Sequence, residues 1–180
     1  MKNNLSVPGS VPVWDPLVRI FHWSLVFFFL LAYVSEDEFM GIHAQAGYVV
    51  ILLVIFRLFW GIFGSKPARF GSFINRPSTV ISHLKGMFSR RAPHYLGHNP
   101  VAAVMVIALL ISLIFTSFTG LVVYAGEGQG PLVGTVFSNW RGDWIEEVHE
   151  FFANFTVFLV VFHVLGVMVS SFLEGENLIK

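Results

Sequence analysis

The chain has no cysteine. That excludes disulfides, thiolate metal sites, iron–sulfur ligation and the C-x-x-C-H attachment of c-type haem, so any haem here is held by coordination alone. Charge is scarce too: 12% of the 180 residues are Asp, Glu, Lys or Arg, and 55% are hydrophobic. A chain this apolar is not an ordinary water-soluble domain. The formal net charge is zero, and no nucleic-acid partner is expected. There is no internal repeat and no low-complexity tract. The opening stretch, "MKNNLSVPGSVPVW", lacks the apolar core of a cleaved signal peptide, so the first membrane helix is expected to serve as the insertion signal.

What the chain does have is long apolar runs. A membrane-spanning helix needs about 20 such residues. Four runs qualify, at about 16–34, 41–63, 100–124 and 144–173. Asp15 suits the N-cap of the first, with Pro16 at the first helical position, where a missing N–H does no harm. The first turns of the fourth, with Glu146, Glu147 and Glu150, are expected to project into water. The expected fold is an all-α integral membrane protein, a four-transmembrane-helix bundle forming one domain over residues 1–180.

Loop charge sets the orientation. Segment 65–99 carries Lys66, Arg69, Arg76, Lys85, Arg90 and Arg91 and no acid. The loop "SEDEFM" has Glu36, Asp37 and Glu38 and no base, and the last loop sets Glu127 and Asp143 against Arg141. Segment 65–99 and both termini are therefore expected in the cytoplasm of a bacterium, with the acidic loops facing the periplasm. Trp14, Trp60, Trp140 and Trp144 lie near span ends, as interfacial aromatics do. Within the inner loop, "RPSTVISHLKGMFSRR" repeats Ile81, Leu84, Met87 and Phe88 at helical spacing among basic residues. That pattern reads as a short helix on the membrane surface, a loop anchor for anionic lipid headgroups.

Of seven histidines, His83, His94 and His98 fall in the inner loop. His22 lies on the first span, His43 on the second, and His149 and His163 on the fourth; the third span has no histidine and no charged residue. A single buried histidine is most often a hydrogen-bonded core residue, but four on three of four helices form a pattern. His149 and His163 are 14 residues apart. At the α-helical rise and turn they stand about 21 Å apart in depth and within about 40° of one face. Alternating spans then put His22 level with His163 near the inner side, and His43 level with His149 near the outer side. Facing imidazoles in a helical bundle suit bis-histidine haem, and two levels imply two haems. Zinc is a poorer match, since a structural site takes four ligands. A proton relay lacks a buried acid between the levels. Arg57, 14 residues after His43, and Arg19, one turn before His22, could pair with haem propionates or reach the inner headgroups. Gly47 and Gly166, near His43 and His163, could leave room for a macrocycle.

At "WDPLVRIFHW", "HAQAGYVVILLVIFRLFWGIFGS", "YLGHNPVAAVMVIALL", "TGLVVY" and "WIEEVHEFFANFTVFLVVFHVLGV" the chain resembles the bacterial cytochrome b561 family. Within it, the likeness is closer to the b-type cytochrome subunits of membrane-bound nickel–iron hydrogenases. The resemblance implies four helices, two b haems, ligand roles for His22, His43, His149 and His163, and electron exchange with membrane quinone. The more distant gamma subunit of formate dehydrogenase meets quinone on the cytoplasmic side, which makes His98 and Asn99 of "GHNP" candidates for the quinone site.

The function expected is electron transfer across the bacterial inner membrane between the quinone pool and a periplasmic redox partner. That partner would be a c-type cytochrome, a hydrogenase or a similar dehydrogenase subunit, with a basic face for the acidic outer loops. An electron-transfer subunit is expected over a stand-alone enzyme. The rivals are a superoxide oxidase reducing quinone and a redox-silent membrane anchor for a periplasmic enzyme. Superoxide is anionic, and acidic outer loops would not steer it inward. Homodimers or larger complexes remain open.

Overall fold

A helix starting at a membrane boundary has to satisfy its first N–H groups locally. The computed structural model, which describes residues 15–36, 38–73, 78–82 and 100–174, shows how the first helix does so. Helix α1 (Pro16–Val34) is capped by Asp15, whose Oδ1 accepts from the Leu17 N–H at 2.8 Å, and Pro16 opens the first turn. The other carboxylate oxygen accepts from Trp60 Nε1 at 3.0 Å and from the Ser65 hydroxyl. One side chain thus caps α1 and ties it to the far end of α2 (Met40–Phe63). The Ser65 bond is the main reason the Asp15 carboxyl lies below the usual carboxylate range; partial burial opposes it, and the Trp60 and Leu17 bonds add to it.

After Gly64 the chain makes a 3-10 turn at Lys66–Ala68 and a short helical turn at Phe70–Phe73. Arg57 fastens this segment to α2. It is 5% exposed, donates to the Ala68 carbonyl at 3.1 Å, and holds its guanidinium 4.6 Å from the Phe70 ring centre. Gly61 makes room, because a Cβ there would collide with the Phe70 ring.

The other two long helices are α3 (Pro100–Gly126) and α4 (Asp143–Glu174). The loop between them turns through four glycines with positive φ. Gly130, at φ 81°, also lets the backbone pass against Tyr124, whose Cδ1 would lie 2.8 Å from an added Cβ. Helix ends run one or two residues past the apolar runs, since hydrogen bonding and not hydropathy ends a helix. Residues 78–82 are helical. The rest of the expected surface helix, with Leu84, Met87 and Phe88, lies outside the described residues, as do Trp14 and Asp37.

The helices pack as two hairpins. α1 lies along α2 and α3 along α4, and the hairpins meet chiefly through α2 and α3. The backbone of α4 packs mainly on α3 and much less on α1 and α2. Val50, Val54 and Leu113 form the core of the α2–α3 junction, with Leu25, Phe28, Phe29 and Leu58 packed around them. The α3–α4 seam is partly polar: the Ser112 and Thr156 hydroxyls are 2.7 Å apart, both residues nearly fully buried. Small hydroxyl residues let helices approach closely in lipid and hydrogen-bond across the seam. The outward faces are apolar, with Ile20, Trp23, Leu52, Ile55, Phe158 and Leu165 all exposed. Among the described residues four helices are long and apolar enough to cross a bilayer. The protein is an all-helical, multi-pass membrane bundle.

Candidate cofactor site: two facing histidine pairs

The helices bring the four span histidines together in two pairs. His22 on α1 faces His163 on α4, with ring centres 6.3 Å apart. His43 on α2 faces His149 on α4, with ring centres 6.1 Å apart. Both pairs lie where α4 faces α1 and α2. α1 and α4 are also linked by the Tyr33 hydroxyl, which donates to Asn154 Oδ1 at 2.7 Å.

These separations can be tested against a metal between the rings. A histidine nitrogen binds a metal at about 2.0 Å, and the ring centre lies about 1.1 Å behind it, so trans imidazoles on one metal ion hold their centres about 6.2 Å apart. Both pairs fit that distance. Two donors at each level leave the equatorial positions to a macrocycle, as in bis-histidine haem. Among the described residues no group of three or more His, Cys, Asp or Glu converges on one point, so a tetrahedral protein-only metal site is not formed there. A Cβ at Gly47 or Gly166 would meet no atom within 4 Å, so no neighbour fills the space beside either glycine.

The His43–His149 level also has fixed tautomers. His43 Nδ1 lies 2.9 Å from the Ala32 carbonyl, and His149 Nδ1 lies 3.0 Å from the Thr116 carbonyl. A carbonyl oxygen can only accept, so each Nδ1 carries the proton and donates it. Each Nε2 is left with its lone pair, the form a metal ligand needs. Ala32, Thr116 and Thr119 are partners the sequence reading did not single out. The run "TSFTG" in a span without charge was the signal for the two threonines, because Thr and Gly one turn apart suit a close helix contact.

The two arginines differ. Arg57 is buried and reaches the Ala68 carbonyl and the Phe70 ring. It stands at the His22–His163 level, because its neighbour Phe56 meets Phe21, next to His22, with ring centres 6.3 Å apart. The Arg19 side chain is exposed on α1 and forms no hydrogen bond or ion pair among the described residues. His98 and Asn99 lie outside the described residues.

A membrane bundle with facing imidazoles and no cysteine has the donor set of a non-covalent haem protein. Sequence comparison defines the family: the chain belongs to the prokaryotic cytochrome b561 family, whose model matches residues 13–180. As a b-type cytochrome it takes haem b. It is 26% identical to a protein of Rhizobium leguminosarum bv. viciae named probable Ni/Fe-hydrogenase B-type cytochrome subunit, over 95% of this chain and 90% of that protein. A protein of the same name from Azotobacter chroococcum mcd 1 is 25% identical, over 90% of this chain and 80% of that protein. No solved structure matches the chain.

Proposed function

We propose that the protein is a di-haem cytochrome b that carries electrons across the bacterial inner membrane, between quinone and a redox partner on the periplasmic side. The observation that carries this reading is the pair of facing imidazole couples, 6.1 and 6.3 Å between ring centres, at two depths of one bundle. Haem b, when bound, supplies reversible one-electron iron chemistry at potentials the protein sets. His22 and His163 would hold one haem, and His43 and His149 the other. The basic segment 65–99 supports a cytoplasmic location for the His22–His163 level and both termini.

Arg57 supports the haem at that level. A buried cation in a membrane bundle is costly unless an anion meets it. Arg57 has a carbonyl, an aromatic face and the field of the nearby Asp15 carboxylate, but no direct ion pair among the described residues. A haem propionate is the anion we assign to it. Arg19, at the same end of the bundle, supplies a second cation. His98 and Asn99 immediately precede α3 at its cytoplasmic end and are proposed to hydrogen-bond quinone carbonyls.

On the periplasmic face Glu36, Glu38 and Glu127 suit a basic partner surface. The names of the two relatives support a hydrogenase as the enzyme that partner belongs to.

Sealed vesicles test the reading. The purified protein is reconstituted with quinol in the bilayer and a membrane-impermeant oxidant on the side of the acidic loops. The oxidant is expected to be reduced, and His43→Ala or His149→Ala to reduce the rate at least tenfold. His98→Leu with Asn99→Leu is expected to slow quinol oxidation while both haems stay bound. Reduction at the rate of protein-free vesicles would contradict the proposal. Rapid quinone reduction driven by superoxide alone would favour a self-contained oxidase of the same fold.

A further inference from the structure

Helix α3 supplies no histidine, yet its backbone forms a seat for one. A Cβ added at Gly120 would lie 2.8 Å from His149 Cε1 and 3.3 Å from its Nδ1. The imidazole therefore rests against the α3 backbone at the one residue that admits it. Nδ1 of His149 lies 3.0 Å from the Thr116 carbonyl and 3.1 Å from the Thr119 hydroxyl. The Thr119 hydroxyl is itself 2.8 Å from the Phe115 carbonyl and 3.1 Å from the Thr116 carbonyl, and it donates its only proton to these carbonyls. Its lone pairs are then free, and the His149 Nδ1–H is shared between the Thr116 carbonyl and the Thr119 oxygen.

This seat is held in register with α4. Thr156, two turns after His149, meets the hydroxyls of Ser112 at 2.7 Å and Thr116 at 3.3 Å. The Phe115 and Phe152 rings stack at 4.9 Å between these contacts. Sliding α3 along α4 would break all of them at once. The two levels are chemically unequal. At the His43–His149 level both rings donate Nδ1–H to a carbonyl. At the other level, neither His22 nor His163 has a hydrogen bond to a ring nitrogen among the described residues. A hydrogen bond that draws on Nδ1–H makes Nε2 a stronger donor, and a stronger donor favours the oxidised metal.

We propose that Thr119 and Gly120 of α3 are positioning residues that orient His149 and strengthen it as a ligand, so that the His43–His149 haem has the more negative midpoint potential of the two. This rests on the haem assignment made above. Electrons arriving at that level would then pass downhill toward the His22–His163 level.

Redox titration of the purified protein, followed by absorbance and by electron paramagnetic resonance of the oxidised haems, tests it. The component lost in His43→Ala and His149→Ala should be the more negative one. Thr119→Val should move that component's midpoint to a more positive value and leave the other in place. Thr119→Ser, which keeps the hydroxyl, should restore the original value. Gly120→Ala should shift the low-spin signal of the same haem, because the ring has to move. Unchanged midpoints and signals in both Thr119→Val and Gly120→Ala would overturn the proposal, and so would a shift confined to the other haem. If His149→Ala itself loses no haem, the ligand assignment has failed and the proposal with it. If His149→Ala loses one and Thr119→Val shifts nothing, only the positioning role has failed.

Discussion

Replacing His22 or His163 by alanine is expected to remove the same redox component, and replacing His43 or His149 to remove the other. Each single variant should bind about half the haem of the parent protein. The reason is geometric. Two imidazoles on one iron cannot have ring centres much beyond about 6 Å apart, given metal–nitrogen bonds of about 2.0 Å. Among the described residues His22 meets that condition only with His163, and His43 only with His149. The crossed pairing, His22 with His149, would separate the ligands by the depth between the levels, about 21 Å for 14 residues of helix. Redox titration of the four purified variants checks the pairing. A phenotype shared by His22→Ala and His149→Ala, and absent from His163→Ala, would contradict it.

Arg57→Leu is expected to lower the midpoint of the His22–His163 component by about 60 mV, one tenfold change in a one-electron equilibrium. A cation close to a haem disfavours the more positive oxidised iron, so removing it favours oxidation. The other component lies about 21 Å deeper along α2, on the far side of the bundle, and should move far less. Arg57→Lys keeps the charge but not the planar fork, and its shift should be smaller. The Leu variant also loses the bond to Ala68 and the contact with Phe70 that fasten the segment after α2. Thermal unfolding of the same variant in detergent measures that second role. A lowered unfolding temperature with neither midpoint changed would make Arg57 an anchor only.

The bundle was legible in the sequence because lipid imposes a coarse rule. Helices that cross it are long, apolar and poor in charge, and nothing else in the chain resembles them. The pairing of histidine levels was legible for a related reason. Helical rise is fixed, so His149 and His163 could be assigned depths from spacing alone, and alternation of the spans supplied their partners. The partners of Arg57 were not legible. Its spacing from His43 gave a depth, but the Ala68 carbonyl and the Phe70 ring come from a chain reversal that follows no periodic pattern. The carbonyls of Ala32 and Thr116 were equally hidden, because every residue carries one and only the packed structure selects which is reached. Gly120 looked like any small residue in a membrane helix until the His149 ring was placed against it. Asp15 was read as a cap, and its bonds to Trp60 and Ser65 needed the tertiary fold.

The most direct measurement is the amount and type of haem per chain. Pyridine haemochrome analysis of the purified protein, set against its concentration from amino-acid analysis, gives both. With no cysteine to bond a vinyl group, all haem should be of b type and should extract into acid acetone. Two haems per chain, falling to about one when either histidine pair is replaced and to none when both are, is the predicted result. One haem per chain in the unaltered protein, or none, would contradict it.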